Sequence, residues 1–331
     1  MLIESHQYVQ LLRSCKHLKS LHQIHGHLIV SGLQQDHSTI AHLINSYSLL
    51  QKSSFSRTTF DSVTNPSVIL WNSMSGAHSR CNQFQEAIKM YYSMLGKGLE
   101  PDKYTFTFVL KACTGDLDFH EDVAIHQEIA SKKLEYDEFI GTGLLNMYSK
   151  MGDLDSARNM FDKLPKKDIA SWNAMVAGLS QRSKPCEALV LFRSMQLEAV
   201  EPDSVSLLNL APAVSKLEDV DSCKSIHGYV VRRCFSGAVL NSLIDMYSKC
   251  YEIKVARPIF YQMLVQDDVS WATMMAGYVH NGYFLEVLQL LDKMEWKNIK
   301  MNKVSIVSDL LAAAEIRDLD KGKEVHSYAL Q

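Results

Sequence analysis

One spacing governs what this chain can fold into. Trp71, Trp172 and Trp271 are separated by 101 and 99 residues. Tyr47, Tyr148 and Tyr247 take the same steps, as do Phe60, Phe161 and Phe260. His25, His126, His227 and His326 step by 101, 101 and 99. A single long period therefore covers nearly all of the 331 residues. Such a chain is confined to repeat architectures, in which no copy buries its apolar face alone and stacked neighbours bury it together.

The period subdivides into segments of 35, 35 and 31 residues in rotation, with one segment, Ser204 to Ser236, shortened to 33. Within each segment the pattern predicts two amphipathic helices. In Val68 to Asp102 the first is "LWNSMSGAHSR", broken at Cys81-Asn82. The second is "FQEAIKMYYSMLGKG", with Ala87, Ile88, Tyr91, Tyr92 and Met94 near i, i+3, i+4 spacing. Gly98 and Pro101 stop it. No run of period-2 alternation demands a strand. The expected fold class is all-α, a solenoid of helix-turn-helix repeats.

Composition narrows the function. Apolar residues make up 47% of the chain and charged residues 21%, the balance of a folded protein. The net charge of -3 argues against gripping nucleic acid by bulk charge, but not against a local groove. No apolar run reaches the roughly 18 to 20 residues of a spanning helix. Seven scattered cysteines with no C-x-x-C pair read as packing residues in a reducing compartment. The N-terminus shows neither a secretory h-region nor a clear transit segment.

The phrases "WNSM…EAIKMYYSMLGKGLEPD", "NSLIDMYSKC", "LDSARNMFDKLPKKD" and "IHGYVV", on units of 35, 35 and 31 residues, resemble the pentatricopeptide repeat family of plants, specifically its PLS subclass. The expected register is a stub at 1–4 followed by one array over 5–331. Its units are 5–36, 37–67, 68–102, 103–137, 138–168, 169–203, 204–236, 237–267, 268–302 and 303–331, the last cut short at Gln331. On this reading the chain is a fragment or a truncated product.

The resemblance assigns a task to polar residues recurring at two positions. Position five holds Ala41, Asn72, Thr107, Thr142, Asn173, Leu208, Asn241 and Ala272. The last position holds Ser67, Asp102, Asp137, Asp168, Asp203, Ser236, Asp267 and Asn302. Taken alone, an Asp before a helix is a cap worth about 1 kcal/mol. Asn is a poor helix former, so three at one register ask for another explanation. Single-stranded RNA offers Watson–Crick edges that two or three side chains per helical repeat can read. By resemblance, Asn72 with Asp102, Asn173 with Asp203, and Asn241 with Asp267 favour uridine. Thr142 with Asp168 favours guanosine, and Thr107 with Asp137 does so more weakly, being in an L-type unit. Leu208 with Ser236 lacks a position-five hydrogen bond, and Ala41/Ser67 and Ala272/Asn302 are undefined. The implied readout from His37 is N-U-(G)-G-U-N-U-N. Position two, at Ile69, Tyr104, Phe139, Ala170, Val205, Ala238 and Val269, would pack on base faces, with the alanines gripping weakly. Arg80, Lys150 and Lys249 at position thirteen are candidate phosphate contacts; otherwise they are ordinary solvated charges.

The repeated "IH" histidines argue for structure by their repetition. His126 and Glu128 spell H-x-E and Pro185-Cys186 follows, but the second cysteine of a zinc deaminase signature is missing. No metal, cofactor or catalytic constellation is expected. The resemblance implies an RNA-binding array that addresses an organellar transcript, in a mitochondrion or alternatively a chloroplast, for editing or other processing, with RNA-processing proteins as further partners. The rival expectation is a protein-interaction scaffold. A third, an enzyme acting in cis, needs a C-terminal domain beyond this chain.

Overall fold

The computed structural model describes residues 5–116 and 119–329. The stub expected at 1–4 and the last two residues of the final repeat lie outside them. Among the described residues there are twenty α-helices and no strand. They are arranged as hairpins in two compact units, Met1–Lys167 and Asp168–Gln331.

The first unit contains α1 (Ser5–Ser14) and α2 (Leu18–Val30), α3 (His37–Leu49) and α4 (Ser53–Asp61), and α5 (Val68–Arg80) and α6 (Phe84–Gly96). It continues with α7 (Lys103–Asp116) and α8 (Phe119–Ser131), and α9 (Glu138–Met151) and α10 (Leu154–Lys163). The second contains α11 (Ile169–Gln181) and α12 (Pro185–Leu197), α13 (Ser204–Leu217) and α14 (Val220–Arg232), and α15 (Ala238–Lys249) and α16 (Ile253–Gln262). It ends with α17 (Asp268–His280) and α18 (Phe284–Trp296), and α19 (Lys303–Ile316) and α20 (Leu319–Ala329).

First helices stack on first helices, α1 to α3, α5, α7 and α9 in one unit and α11 to α13, α15, α17 and α19 in the other. Second helices wedge between successive first helices: α6 packs on both α5 and α7, α12 on α11 and α13, and α18 on α17 and α19. The aromatic series lie in these seams. Trp71 of α5 meets Phe60 of α4 edge-on, with ring centroids 4.9 Å apart. Trp271 of α17 meets Phe260 of α16 in the same way at 5.1 Å. Such edge-to-face pairs add roughly 0.5–1.5 kcal/mol to the area they bury. First helices approach closely where residues are small: a Cβ on Gly277 of α17 would lie 2.3 Å from the Ser248 hydroxyl of α15.

The turn between the two helices of a hairpin has its own signature. The fifteenth residue of a repeat is left-handed at Gln51, Asn82 and Gly152 in the first unit. In the second unit the same holds at Ser183, Glu218, Tyr251, Gly282 and Arg317. The next amide then reaches back to the last helical turn, as from Lys52 to the Tyr47 carbonyl at 3.0 Å and from Glu252 to the Tyr247 carbonyl at 2.9 Å. This is a Schellman closure. It forces side-chain-bearing residues into a region that costs them about 1–2 kcal/mol, an expense met by helix packing on both sides.

Candidate nucleic-acid interface

The repeated polar positions fall in the first turn of each first helix, and two Asn–Asp pairs meet there. Asn72 Nδ2 donates to Asp102 Oδ1 at 3.1 Å. Asn173 Nδ2 donates to Asp203 Oδ1 at 3.2 Å. Each aspartate also caps the following helix. Asp102 Oδ1 accepts from the Thr105 amide at 2.7 Å, and Asp203 Oδ1 from the Ser206 amide at 2.8 Å. One carboxylate oxygen thus ends one helix's orphan donors and fixes the neighbouring helix's asparagine. Burial pushes the Asp203 carboxyl up, but hydrogen bonds from Ser206 and Asn173 outweigh it and hold the group below its ordinary value.

The lock has a chemical consequence. An asparagine amide has two N–H donors and one carbonyl acceptor. With one N–H given to aspartate, each asparagine keeps an N–H and its carbonyl in a fixed plane. That pairing of donor and acceptor complements a uridine edge, which presents an N3–H between two carbonyls. The Asn173 carbonyl also accepts the Ser206 hydroxyl at 2.6 Å, which orients it further.

The third pair is looser. Asp267 caps α17 through the Ser270 amide at 2.8 Å. Its carboxyl is held below its ordinary value chiefly by Ser270, with Asn241 contributing in the same direction. The amide oxygen of Asn241, buried in α15, has no hydrogen-bond partner. The threonines differ again. The Thr107 hydroxyl donates back to the Lys103 carbonyl at 2.9 Å, while Asp137 caps α9 at the amides of Phe139 and Ile140. No hydrogen bond joins Thr107 to Asp137 among the described contacts. Thr142 is half-buried in α9 of the first unit, and Asp168 caps α11 through the Ser171 amide at 2.8 Å. Leu208 is exposed on α13, and Ser236 precedes α15, a helix that starts one residue later in its repeat than the others, after Gly237.

Position two points outward throughout. Ile69, Tyr104, Phe139, Val205 and Val269 are all exposed, Phe139 at 70% and Tyr104 at 60%. A recurring exposed apolar residue is what a stacking platform needs, although the Tyr104 ring already carries the Lys103 ammonium 5.3 Å from its centroid. The three cations do not behave alike. Arg80 is committed to the protein: its guanidinium donates to the Ser48 hydroxyl at 2.7 Å and the Asn45 side-chain oxygen at 2.8 Å, tying α5 to α3. Lys249 pairs with Asp245 one turn earlier at 3.0 Å on an exposed face. Lys150 is exposed on α9.

The histidine series is structural, and its partner is the tyrosine series. His25 Nδ1 lies 2.9 Å from the Tyr47 hydroxyl, His126 2.6 Å from that of Tyr148, and His227 3.2 Å from that of Tyr247. Each contact joins a second helix to the first helix of the next hairpin. Burial lowers the pKa of all three imidazoles and pushes the three tyrosines up to about 12, so the neutral pair is the stable one. Sequence reading found both series and missed that they touch. The signal was their nearly constant separation of 22, 22 and 20 residues. Glu128 accepts the Tyr91 hydroxyl, and Cys186 is exposed on α12. No group of three or more metal-ligating side chains comes together among the described residues.

The stacked hairpins and their row of polar first-turn positions define an α-solenoid repeat protein. Residues 66–115 match the PPR repeat family, and residues 142–169, 170–199 and 269–299 match the PPR repeat. The pentatricopeptide repeat-containing protein At2g39620 of Arabidopsis thaliana is 48% identical over 322 residues, covering 97% of this chain and 38% of the relative. Another Arabidopsis thaliana protein of the same description, the chloroplastic At1g11290, is 31% identical over 99% of this chain and 41% of its own length. A third, the putative mitochondrial At3g25060, is 31% identical over 98% of this chain and 54% of its own length. The chain thus spans roughly half or less of the curated relatives it matches. The fold is also that of PPR10 in complex with an 18-nt psaJ RNA element, with a TM-score of 0.78 at 15% identity over 96% of this chain and 49% of PPR10. The chain belongs to the pentatricopeptide repeat family.

Proposed function

We propose that this chain binds single-stranded RNA in a sequence-dependent way, with one base facing each repeat. The observation that carries the proposal is the pair of locked asparagines, Asn72 on Asp102 and Asn173 on Asp203. Asn72 sits one turn from the exposed Ile69, a residue suited to stacking, whereas Asn173 has the smaller Ala170 at that place. The proposed register is N-U-(G)-G-U-N-U-N from His37, with the uridines at Asn72, Asn173 and Asn241. We place the chain in the PLS subclass, addressing an organellar transcript for editing or related processing. Relatives named chloroplastic or mitochondrial support an organelle without choosing between them. The proposed array supplies the address and leaves catalysis to other proteins or domains.

The test is a titration of short labelled RNAs at fixed salt. One carries the register above and a control carries the same bases permuted. Tighter binding of the first is the expected result. Equal affinity for both, or none for either, would sink the base-reading proposal.

A further inference from the structure

A groove on the second helices of the second unit has a lining that the fold does not require. It lies between α16 and α18, encloses about 620 Å³, and is floored by Trp271 and Met263. Two apolar side chains of its lining stand almost fully in solvent, Leu264 at 100% exposed and Trp296 at 83%, and Val265, next to Leu264 in sequence, is 76% exposed. Two cations sit over its aromatic faces, Lys293 5.7 Å from the Tyr261 ring and Lys297 5.1 Å from the Trp271 ring. Among the described residues no carboxylate lines it.

The same groove exists in the first unit, floored by Trp71 and Phe60 between α4 and α6, at the equivalent register 200 residues earlier. There the corresponding positions are Asp61, Thr64, Asn65, Ser93 and Gly96. Between the two copies, Tyr261, Leu264, Val265, Lys293 and Trp296 replace a polar or small residue at every one of these positions. The first copy packs its Trp–Phe seam without them, so they serve no common structural need. Exposed aliphatic and aromatic side chains rimmed by one sign of charge are the composition of a binding site.

We infer that this groove docks an acidic segment of a partner protein, one that carries apolar side chains between its carboxylates. The cations supply charge complementarity in a chain whose own net charge is -3. Leu264 offers no hydrogen bond to a base edge and no charge to a phosphate, and it stands apart from the position-two residues suited to stacking, which favours a peptide over RNA. The groove also stands on the second helices, whereas the base-reading positions stand on the first. RNA bound there and a docked peptide here are separate events.

The experiment uses a fluorescein-labelled peptide of alternating Glu, Leu, Asp and Phe, followed by anisotropy, with a counterpart in which Lys replaces the acidic residues. The variant carries Trp296→Gly and Leu264→Thr, the residue types of the first copy, so that folding is preserved. Binding of the acidic peptide should weaken by about tenfold or more in the variant, the effect of removing an interface anchor. RNA affinity should be unchanged, which keeps this test independent of the base-reading proposal. Four outcomes overturn the inference: equal peptide binding by both proteins, equal binding of the lysine counterpart, displacement of the peptide by oligouridylate, or a concentration-dependent dimer that the variant loses in sedimentation.

Discussion

The Asn173 amide and the Asp203 carboxylate, 30 residues apart, are joined by a single hydrogen bond of 3.2 Å. That bond decides which of the asparagine's groups remain available to a ligand. Replacing Asn173 with Ala removes the proposed reader and leaves Asp203 capping α13. Discrimination for uridine at that one position should fall by about 1 kcal/mol, roughly fivefold. The measurement is the affinity ratio between RNAs differing only at that base. A chain that unfolds on this change would instead mark Asn173 as a structural residue.

The aspartate carries both tasks, so its loss should register twice. Asp203→Ala is expected to cost about 1 kcal/mol of stability through the lost cap, and to relax base preference as well. A denaturant titration beside the RNA series separates the two effects. Asp203→Ser, which can still cap, should restore most of the stability and less of the preference.

The His126–Tyr148 contact predicts a purely structural defect. Tyr148→Phe leaves Nδ1 of the part-buried imidazole without its partner and should lower stability by about 1–2 kcal/mol, with RNA affinity unchanged when measured on the folded fraction. Altered base preference in this variant would contradict the assignment.

Asp309 gives the chain a pH dependence. It is a fully buried carboxyl in α19 with no hydrogen-bond partner on either oxygen. The repeats carry Met74, Val109, Leu210 and Met274 at the same register. Burial raises its pKa to about 6; Lys321 opposes this, while Glu295, Glu324 and Asp292 reinforce it. The folded state therefore holds the proton more tightly than the unfolded state. The contribution of this group to stability is fully present below the ordinary carboxylate range and is lost as pH rises to about 6, by about 3 kcal/mol in all. Asp309→Leu should stabilise the protein near pH 8 and much less near pH 4.5, as read from denaturant midpoints.

The cations can be sorted by salt. Lys150→Met should reduce the slope of log affinity against log salt by about 0.7 if Lys150 meets a phosphate. Arg80→Met should leave that slope alone and lower stability, since its donors are spent on Ser48 and Asn45. The opposite pattern would reverse both assignments.

Much of this was legible in the sequence because a long period multiplies every weak signal. Trp71 and Trp271 announced the register, and their neighbours set helix boundaries that a single hairpin would have left blurred. Other features were hidden for physical reasons. Arg80 shares its register with Lys150, and no periodicity reveals that its guanidinium turns back onto α3. The left-handed turns escaped because glycine marks them only at Gly152 and Gly282, with Gln51, Tyr251 and Arg317 taking the same geometry under constraint from the packed helices. The Thr107 hydroxyl looked like a reader, but a nearby backbone carbonyl competes for it, a local choice that spacing does not encode.

Because Asp102, Asp168, Asp203, Asp267 and Asn302 all open a helix with side-chain oxygens, the last position of a repeat has a restricted alphabet. Residues that can accept from a free backbone amide are favoured there, whatever base is wanted opposite, although Ser67 opens α5 without such a bond. On the proposed reading, anyone rewriting the specificity of such an array is composing in a script whose second letter the fold has already shortened. Freedom to change the message is then concentrated in the first letter, at the position held by Asn72 and Asn173.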